Sequence, residues 1–139
     1  MKRLHYFCFM INNVSNFFIP ENTIVDSSGL DYSMAELLVQ SAKAFARATY
    51  QSVYIIDYNR KGFLYVSDNP LFLCGQSQQE VLDEGYGFYL KHVPEKEHKM
   101  LMELNKAGFE FFNKLPIQER FDYTISYDFH LLNNSTSSL

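Results

Sequence analysis

The apolar positions fall into blocks of different period, and each period predicts a different element. Ser33 and Glu36 make an S-x-x-E capping pair, and behind it Met34, Leu37, Leu38, Phe45 and Ala46 recur at helical spacing to about Tyr50. This is an amphipathic helix of about four turns. Its stripe suits either the domain core or the same helix of a second chain. The run Val53-Tyr54-Ile55-Ile56, the turn Asn59-Arg60-Lys61-Gly62 and the run Phe63 to Ser67 predict an antiparallel hairpin. Asp68-Asn69-Pro70 opens a short helical turn through Leu71, Phe72 and Leu73 that stops at Gly75, and Ser77 with Glu80 caps a second short helix. Gly85 and Gly87 bracket Tyr86 and mark a loop whose backbone turns sharply or passes close to another segment.

Pro94, Glu95 and Glu97 start a long helix whose stripe is Met100, Leu101, Leu104, Gly108, Phe111, Phe112 and Leu115, and which ends before Pro116. Phe121, Tyr123, Ile125, Tyr127, Phe129 and Leu131 then alternate with Arg120, Asp122, Thr124, Ser126, Asp128 and His130, the pattern of a half-buried strand. The turn formers Pro20, Asn22, Asp26, Ser27, Ser28 and Gly29 make residues 1–32 an N-terminal extension and linker. Residues 33–131 are then one α+β domain with its flanking helix, and 132–139 a loose polar tail.

Composition changes this picture little. The chain has 139 residues, 47% apolar and 20% charged, with 13 Phe and 10 Tyr, enough for one domain with a real core. A net charge of −4 supplies no basic face for a phosphate backbone, so direct nucleic-acid binding is not expected. Cys8 and Cys74 lie far apart with no Cys or His at zinc spacing, so neither a disulfide scaffold nor a structural metal is expected. The start Met1-Lys2-Arg3 with apolar residues from Leu4 to Ile11 has the look of an export signal, but it contains His5 and meets Asn12-Asn13 without a cleavage site. No run approaches the roughly 18 apolar residues of a membrane span. A cytoplasmic location follows as the expectation.

The order helix, strand, strand, two short helices, long helix, strand, with Val53 to Asp57, Phe63 to Pro70 and the segment Gly75-Gln76-Ser77-Gln78-Gln79-Glu80-Val81, resembles the PAS family. His92-Val93-Pro94-Glu95 is similar to that family's His-Pro-acidic entry to its long helix, with Val93 interrupting it. The resemblance covers about residues 52 to 131. With the preceding amphipathic helix, it extends to the N-terminal sensor segments of bacterial LuxR-type transcription regulators. It implies signal input through protein–protein interaction, without catalysis, in a homodimer, and no helix-turn-helix is expected within the chain. A PAS sheet has five strands, and the residues after Leu131 are too few for the last two. The expected sheet is therefore short by two strands, with an open edge that Leu4 to Ile11 or a second chain would cover.

The resemblance also implies a pocket between the long helix and the sheet, lined by Tyr54, Ile56, Leu64, Phe72, Tyr89, Met100, Leu104, Tyr123 and Ile125. Either a small apolar ligand occupies it or the side chains fill it. No cofactor is expected. Flavin-binding relatives need a cysteine in the segment matching Asp83 to Leu90, which has none. Haem-binding relatives use a long-helix histidine, and His98 is expected to be solvated among Glu95, Glu97 and Lys99. Cys74 reads as a small buried hydrophobe. Asp122 and Asp128 lie roughly 20 Å apart on an extended chain, too far to act together on one bond. A small α+β enzyme is the remaining alternative, without a nucleophile elbow, phosphate loop or H-E-x-x-H to support it.

Overall fold

The computed structural model of the chain describes residues 31–133. The expectations for Leu4 to Ile11, for nearly all of the 1–32 linker and for the tail beyond Asn133 lie outside the described residues. A 3-10 turn, Tyr32–Met34, leads into helix α1, Ala35–Thr49, followed by strands β1, Tyr54–Asp57, and β2, Gly62–Val66. Three short helices come next: α2, Pro70–Leu73, α3, Gln78–Glu84, and α4, Gly87–His92. The long helix α5 is Glu95–Lys114, and a 3-10 segment, Ile117–Asp122, closes the regular structure. The coarse α+β class is therefore correct.

Local chemistry sets these boundaries. Asn69 caps α2 by accepting from the N–H of Leu71 at 3.0 Å, with Pro70 next to it. Ser77 and Glu80 form a complete capping box on α3, as the S-x-x-E spacing predicts. The other S-x-x-E pair does not cap. Asp31 takes that position, accepting from the N–H of Ser33 at 2.8 Å, so the helical segment starts earlier than Ser33. Gly85 turns the chain with φ +56°, and a Cβ there would lie 3.8 Å from the Cα of Gly62 in the hairpin turn. The loop reading is right at Gly85. At Gly87 it gives way to α4, which the glycine spacing concealed.

Strands β1 and β2 pair antiparallel, and the register shifts by one between Ile55 and Ile56, leaving Leu64 as the extra residue of a bulge. The inner face of this hairpin carries Tyr54, Ile56, Phe63 and Val66, packed with Phe72, Val81, Tyr86, Phe88, Tyr89, Val93 and Leu101. Phe72 stacks on Tyr54 at 5.0 Å between centroids and lies 4.9 Å from Phe88. Such ring pairs add about 0.5–1.5 kcal/mol each beyond the area they bury. Cys74 sits in this core, and burial raises its thiol pKa, in keeping with an inert side chain.

The strand predicted from Phe121 to Leu131 does not form as a strand. Its first two residues belong to the 3-10 segment, and the sheet among the described residues has two strands. The rest of the segment lies antiparallel along α5. The Tyr123 ring meets Phe111 at 5.5 Å, Ile125 covers Gly108, Phe129 meets Tyr89 at 6.2 Å, and His130 bonds Glu97 at 2.7 Å. From Phe111 back to Glu97, α5 descends about 21 Å at 1.5 Å per residue, and from Tyr123 to His130 an extended chain covers about 23 Å. The match explains the alternation. A period of two requires an apolar surface on one side, and a helix provides it as well as a sheet does. Gly108 makes the close approach possible, since a Cβ there would come within 3.1 Å of the Ile125 Cδ1.

The segment's end is fixed too. Leu132 donates its N–H to the His92 carbonyl at 2.6 Å, so the tail is held at its first residue and is not loose from 132. The buried His92 ring has the Leu132 carbonyl 3.2 Å from Nδ1 and the Gln76 Oε1 2.8 Å from Nε2.

At the other end of the fold, Asp57 ties the start of α1 to the hairpin turn. It accepts from the Tyr32 hydroxyl at 2.8 Å and from the N–H groups of Asn59 and Arg60 at 2.9 and 3.0 Å. The Arg60 guanidinium lies 4.3 Å above the Tyr32 ring. Burial opposes ionisation of Asp57, but these donors and the Arg60 charge outweigh it and hold the carboxyl below its usual pKa.

Truncating the centre of the ring cluster should cost far more than truncating its margin. Phe88→Ala is expected to lose about 3–5 kcal/mol, whereas Leu71→Ala, at an exposed position, should stay within about 0.5 kcal/mol. Urea denaturation of both variants measures the difference.

Candidate functional site

Between β1, α4, α5 and the C-terminal segment lies a crevice in two adjoining parts. The inner part, about 40 Å³, is lined by Tyr54, Ile56, Tyr58, Tyr86, Tyr89, Leu101, Asn105, Tyr127 and Phe129. The outer part, about 150 Å³, is lined by Tyr58, Leu104, Asn105, Gly108, Phe109, Phe112, Ile125 and Tyr127. Tyr58, Asn105 and Tyr127 line both. Each position follows from local structure: Tyr54 projects from the inner face of β1, Tyr58 stands where β1 enters its turn, and Tyr86 and Tyr89 flank the start of α4. Asn105 is the polar residue on the α5 face that also presents Leu101 and Gly108.

The phenols bond one another. Tyr58 pairs with Tyr86 and Tyr54 with Tyr89, and the Tyr58 hydroxyl reaches the Asn105 Oδ1 at 3.4 Å. Burial pushes the pKa of Tyr58, Tyr86, Tyr89 and Tyr127 above the ordinary phenol value; neighbouring phenols add to the rise at Tyr86, Tyr89 and Tyr127, whereas at Tyr58 the bond with Tyr86 opposes it. No charged side chain lines either part. The crevice is thus a neutral, hydroxyl-bearing surface. Its inner part has room for a water or two, and its outer part is the size of cavities that admit a benzene ring.

Of the nine residues expected to line a pocket, Tyr54, Ile56 and Tyr89 meet in the inner part, and Leu104 and Ile125 in the outer. The other four go elsewhere. Leu64, displaced by the bulge, lies on the opposite side of the hairpin. Phe72 is packed within the ring cluster, Met100 is exposed on α5, and Tyr123 leans on Phe111 outside the crevice. Tyr58, Tyr86, Asn105 and Tyr127 were missed. Tyr127 stands on the same alternating face as Ile125, and Asn105 interrupts an otherwise apolar stripe, so both left a signal in the pattern.

His98 is not solvated. It is 2% exposed, and its Nε2 lies 2.8 Å from the Val93 carbonyl, while Nδ1 has no partner. The reason is its place on the inward face of α5, one turn before Leu101. Among the described residues, no three His, Cys, Asp or Glu side chains gather as metal ligands, and no helix is long and apolar enough to cross a membrane.

On the outer side of the hairpin a second concavity, about 920 Å³, lies between α1 and the sheet. Met34 of the 3-10 turn with Ala35, Leu37, Leu38 and Ser41 of α1 form one wall, Ile55, Ile56, Tyr58, Leu64 and Phe121 lie opposite, and Asp31, Tyr32 and Asp57 add polar groups to the lining. No residue of α1 is buried, and Leu37 and Phe45 are 59% and 53% exposed. At about 100° per residue, Met34, Leu37, Leu38, Ser41 and Phe45 share one face of α1. Glu36, Lys43 and Arg47 fall on the opposite one.

Compared with protein-family models, curated proteins and solved structures, the chain matches none. Among the described residues these features define a small α+β domain with a neutral aromatic crevice and an exposed apolar helix face; a further concavity, about 820 Å³, lies between the end of α1 and the start of α2 and includes Lys43, Arg47 and Asp68 in its lining.

The phenol cluster predicts an alkaline limit to stability. A pKa raised by folding leaves stability intact below about pH 10, the unfolded value, and removes it as pH rises further, because the unfolded chain then releases its protons first. Melting temperature followed together with tyrosinate absorbance should show the crevice phenols ionising only as the fold is lost. Their ionisation in a chain that keeps its near-UV circular dichroism would contradict the burial described.

Proposed function

We propose that the chain is a signal-input module that works by association with a second copy of itself, in the manner of a PAS-like sensory domain, and that it is not an enzyme. The observation that carries this is the apolar face of α1. Three large side chains of α1, Leu37, Leu38 and Phe45, and Met34 at its N-cap stand exposed on one side with the small Ser41 among them. Large and small residues alternating on one face let two such helices interlock. The charges of α1 lie on its far side, so two copies can bring these helix faces together without apposing the helices' own charges, with Asp31 and Asp57 lining the concavity beside them. A cytoplasmic setting and a link to a transcription regulator belong to the same reading.

A second reading has its own support. The outer crevice suits a small neutral aromatic molecule, with the Asn105 amide and the Tyr58 and Tyr127 hydroxyls to orient it. In that case the module is a receptor, and a ligand raises its melting temperature by mass action without changing its oligomeric state.

Sedimentation equilibrium over a range of concentrations tests the first reading. The chain should associate, and Leu37→Glu with Phe45→Glu should return it to a monomer whose melting temperature nearly equals that of the wild type at a dilution where the wild type is itself monomeric, because neither side chain is part of the core. A wild-type chain that stays monomeric at every concentration would sink the proposal.

A further inference from the structure

The outer part of the crevice has a lining that selects its occupant. Four aromatic residues border it, Tyr58, Phe109, Phe112 and Tyr127, and the first two meet edge to face at 4.8 Å between centroids. Gly108 adds no side chain, and a Cβ there would come within 3.1 Å of the Ile125 Cδ1, so the bare glycine helps keep the space. Ile125 and Tyr127 are 40% and 45% exposed, so the crevice opens to solvent beside the C-terminal segment and a small molecule has a way in. At about 150 Å³ the space matches a cavity that takes one benzene ring.

We propose that the outer crevice binds a small neutral phenol, and that Asn105 is the residue that distinguishes a hydroxylated ring from a bare one. This rests on the receptor reading and gives it a ligand class and a specificity-determining residue.

Charge decides the first half of the class. An anion such as benzoate would give up its hydration for a lining that holds no cation, and a cation would meet rings but no carboxylate. Hydrogen bonding decides the second half. A hydrocarbon ring in this space would shield the Asn105 amide from water and offer it no bond in return, which costs affinity. An amide both donates and accepts, and so does a phenol, so the ring hydroxyl can meet Asn105 in either sense. The Tyr58 hydroxyl, 3.4 Å from the Asn105 Oδ1, marks the polar end of a space that is otherwise apolar and aromatic.

Isoleucine methyl groups separate the candidate sites. Ile125 lines the outer part of the crevice, Ile55 lines the α1 concavity, and Ile117 lines neither. In the full chain labelled at the isoleucine δ1 methyls, phenol at neutral pH should shift the Ile125 signal saturably, show a nuclear Overhauser contact to it, and leave Ile117 unmoved. Phenol should bind about five- to tenfold more tightly than benzene, the worth of one hydrogen bond. Sodium benzoate and tetramethylammonium should give no saturable shift. Asn105→Leu keeps the volume and removes the amide, so it should still bind benzene, which reports that the variant is folded, and should lose the preference for phenol. Benzene bound by the wild type as tightly as phenol, or a phenol preference that survives in Asn105→Leu, overturns the role of Asn105 and leaves the receptor reading standing. Benzoate or tetramethylammonium shifting Ile125 as strongly as phenol overturns the neutral class. A phenol shift confined to Ile55 moves the site to the α1 concavity and overturns the inference. If none of the four probes moves Ile125, the inference and the receptor reading fall together.

Discussion

A two-stranded hairpin does not hold together in water by itself, and the rest of this fold follows from the need to cover one of its faces. The inner face of β1 and β2 presents Tyr54, Ile56, Phe63 and Val66; α2 and α4 bring rings onto it, and α3 and α5 add Val81 and Leu101. Phe72, Phe88 and Tyr89 meet Tyr54 and Phe63 there, with centroid separations of 4.9 to 5.8 Å along the chain of contacts Tyr54–Phe72–Phe88 and Phe63–Tyr89. The helices are too short to be stable alone. Capping by Asn69 and the Ser77–Glu80 box, and the sharp turn at Gly85, set where they start and stop.

What this core leaves uncovered is as informative as what it buries. It takes in one face of the hairpin, so α1 is attached at its rim through Tyr32, Asp57 and Arg60 and keeps an apolar face outward. On the opposite rim the C-terminal segment is laid on α5 by alternate side chains and fastened by Glu97 and His92. Contacts between side chains hold it there in place of a ladder. The phenol-lined crevice lies where the core meets the second rim. A ligand in its outer part would touch Tyr127 and Ile125, and through them the C-terminal segment that lies along α5.

Much of this was legible in the pattern of residues. The hairpin, the cap at Ser77, the extent of α5 and the amphipathic character of α1 all rest on local rules that tertiary context did not override. The failures have separate causes. Alternation from Phe121 to Leu131 reports a surface on one side and carries no information about ladder partners, so a chain lying on a helix was read as a strand. The bulge makes the inward residues of β2 Phe63 and Val66, three apart, and a count by twos misplaces Leu64. Helix α4 was hidden because Gly85 and Gly87 look alike in sequence, although Gly85 alone needs a positive φ. His98 was read from its charged neighbours when its position one turn before Leu101 decides its burial.

The most direct test of a ring-built core with two attached rims is native-state hydrogen exchange on a dilute sample. The amides of β2, α4 and the first half of α5 should exchange only through global unfolding, while those of α1 and of residues 123–129 should exchange far faster through local opening. Equal protection of α1 and the hairpin at a concentration where the chain is monomeric would contradict this arrangement and place α1 within the core.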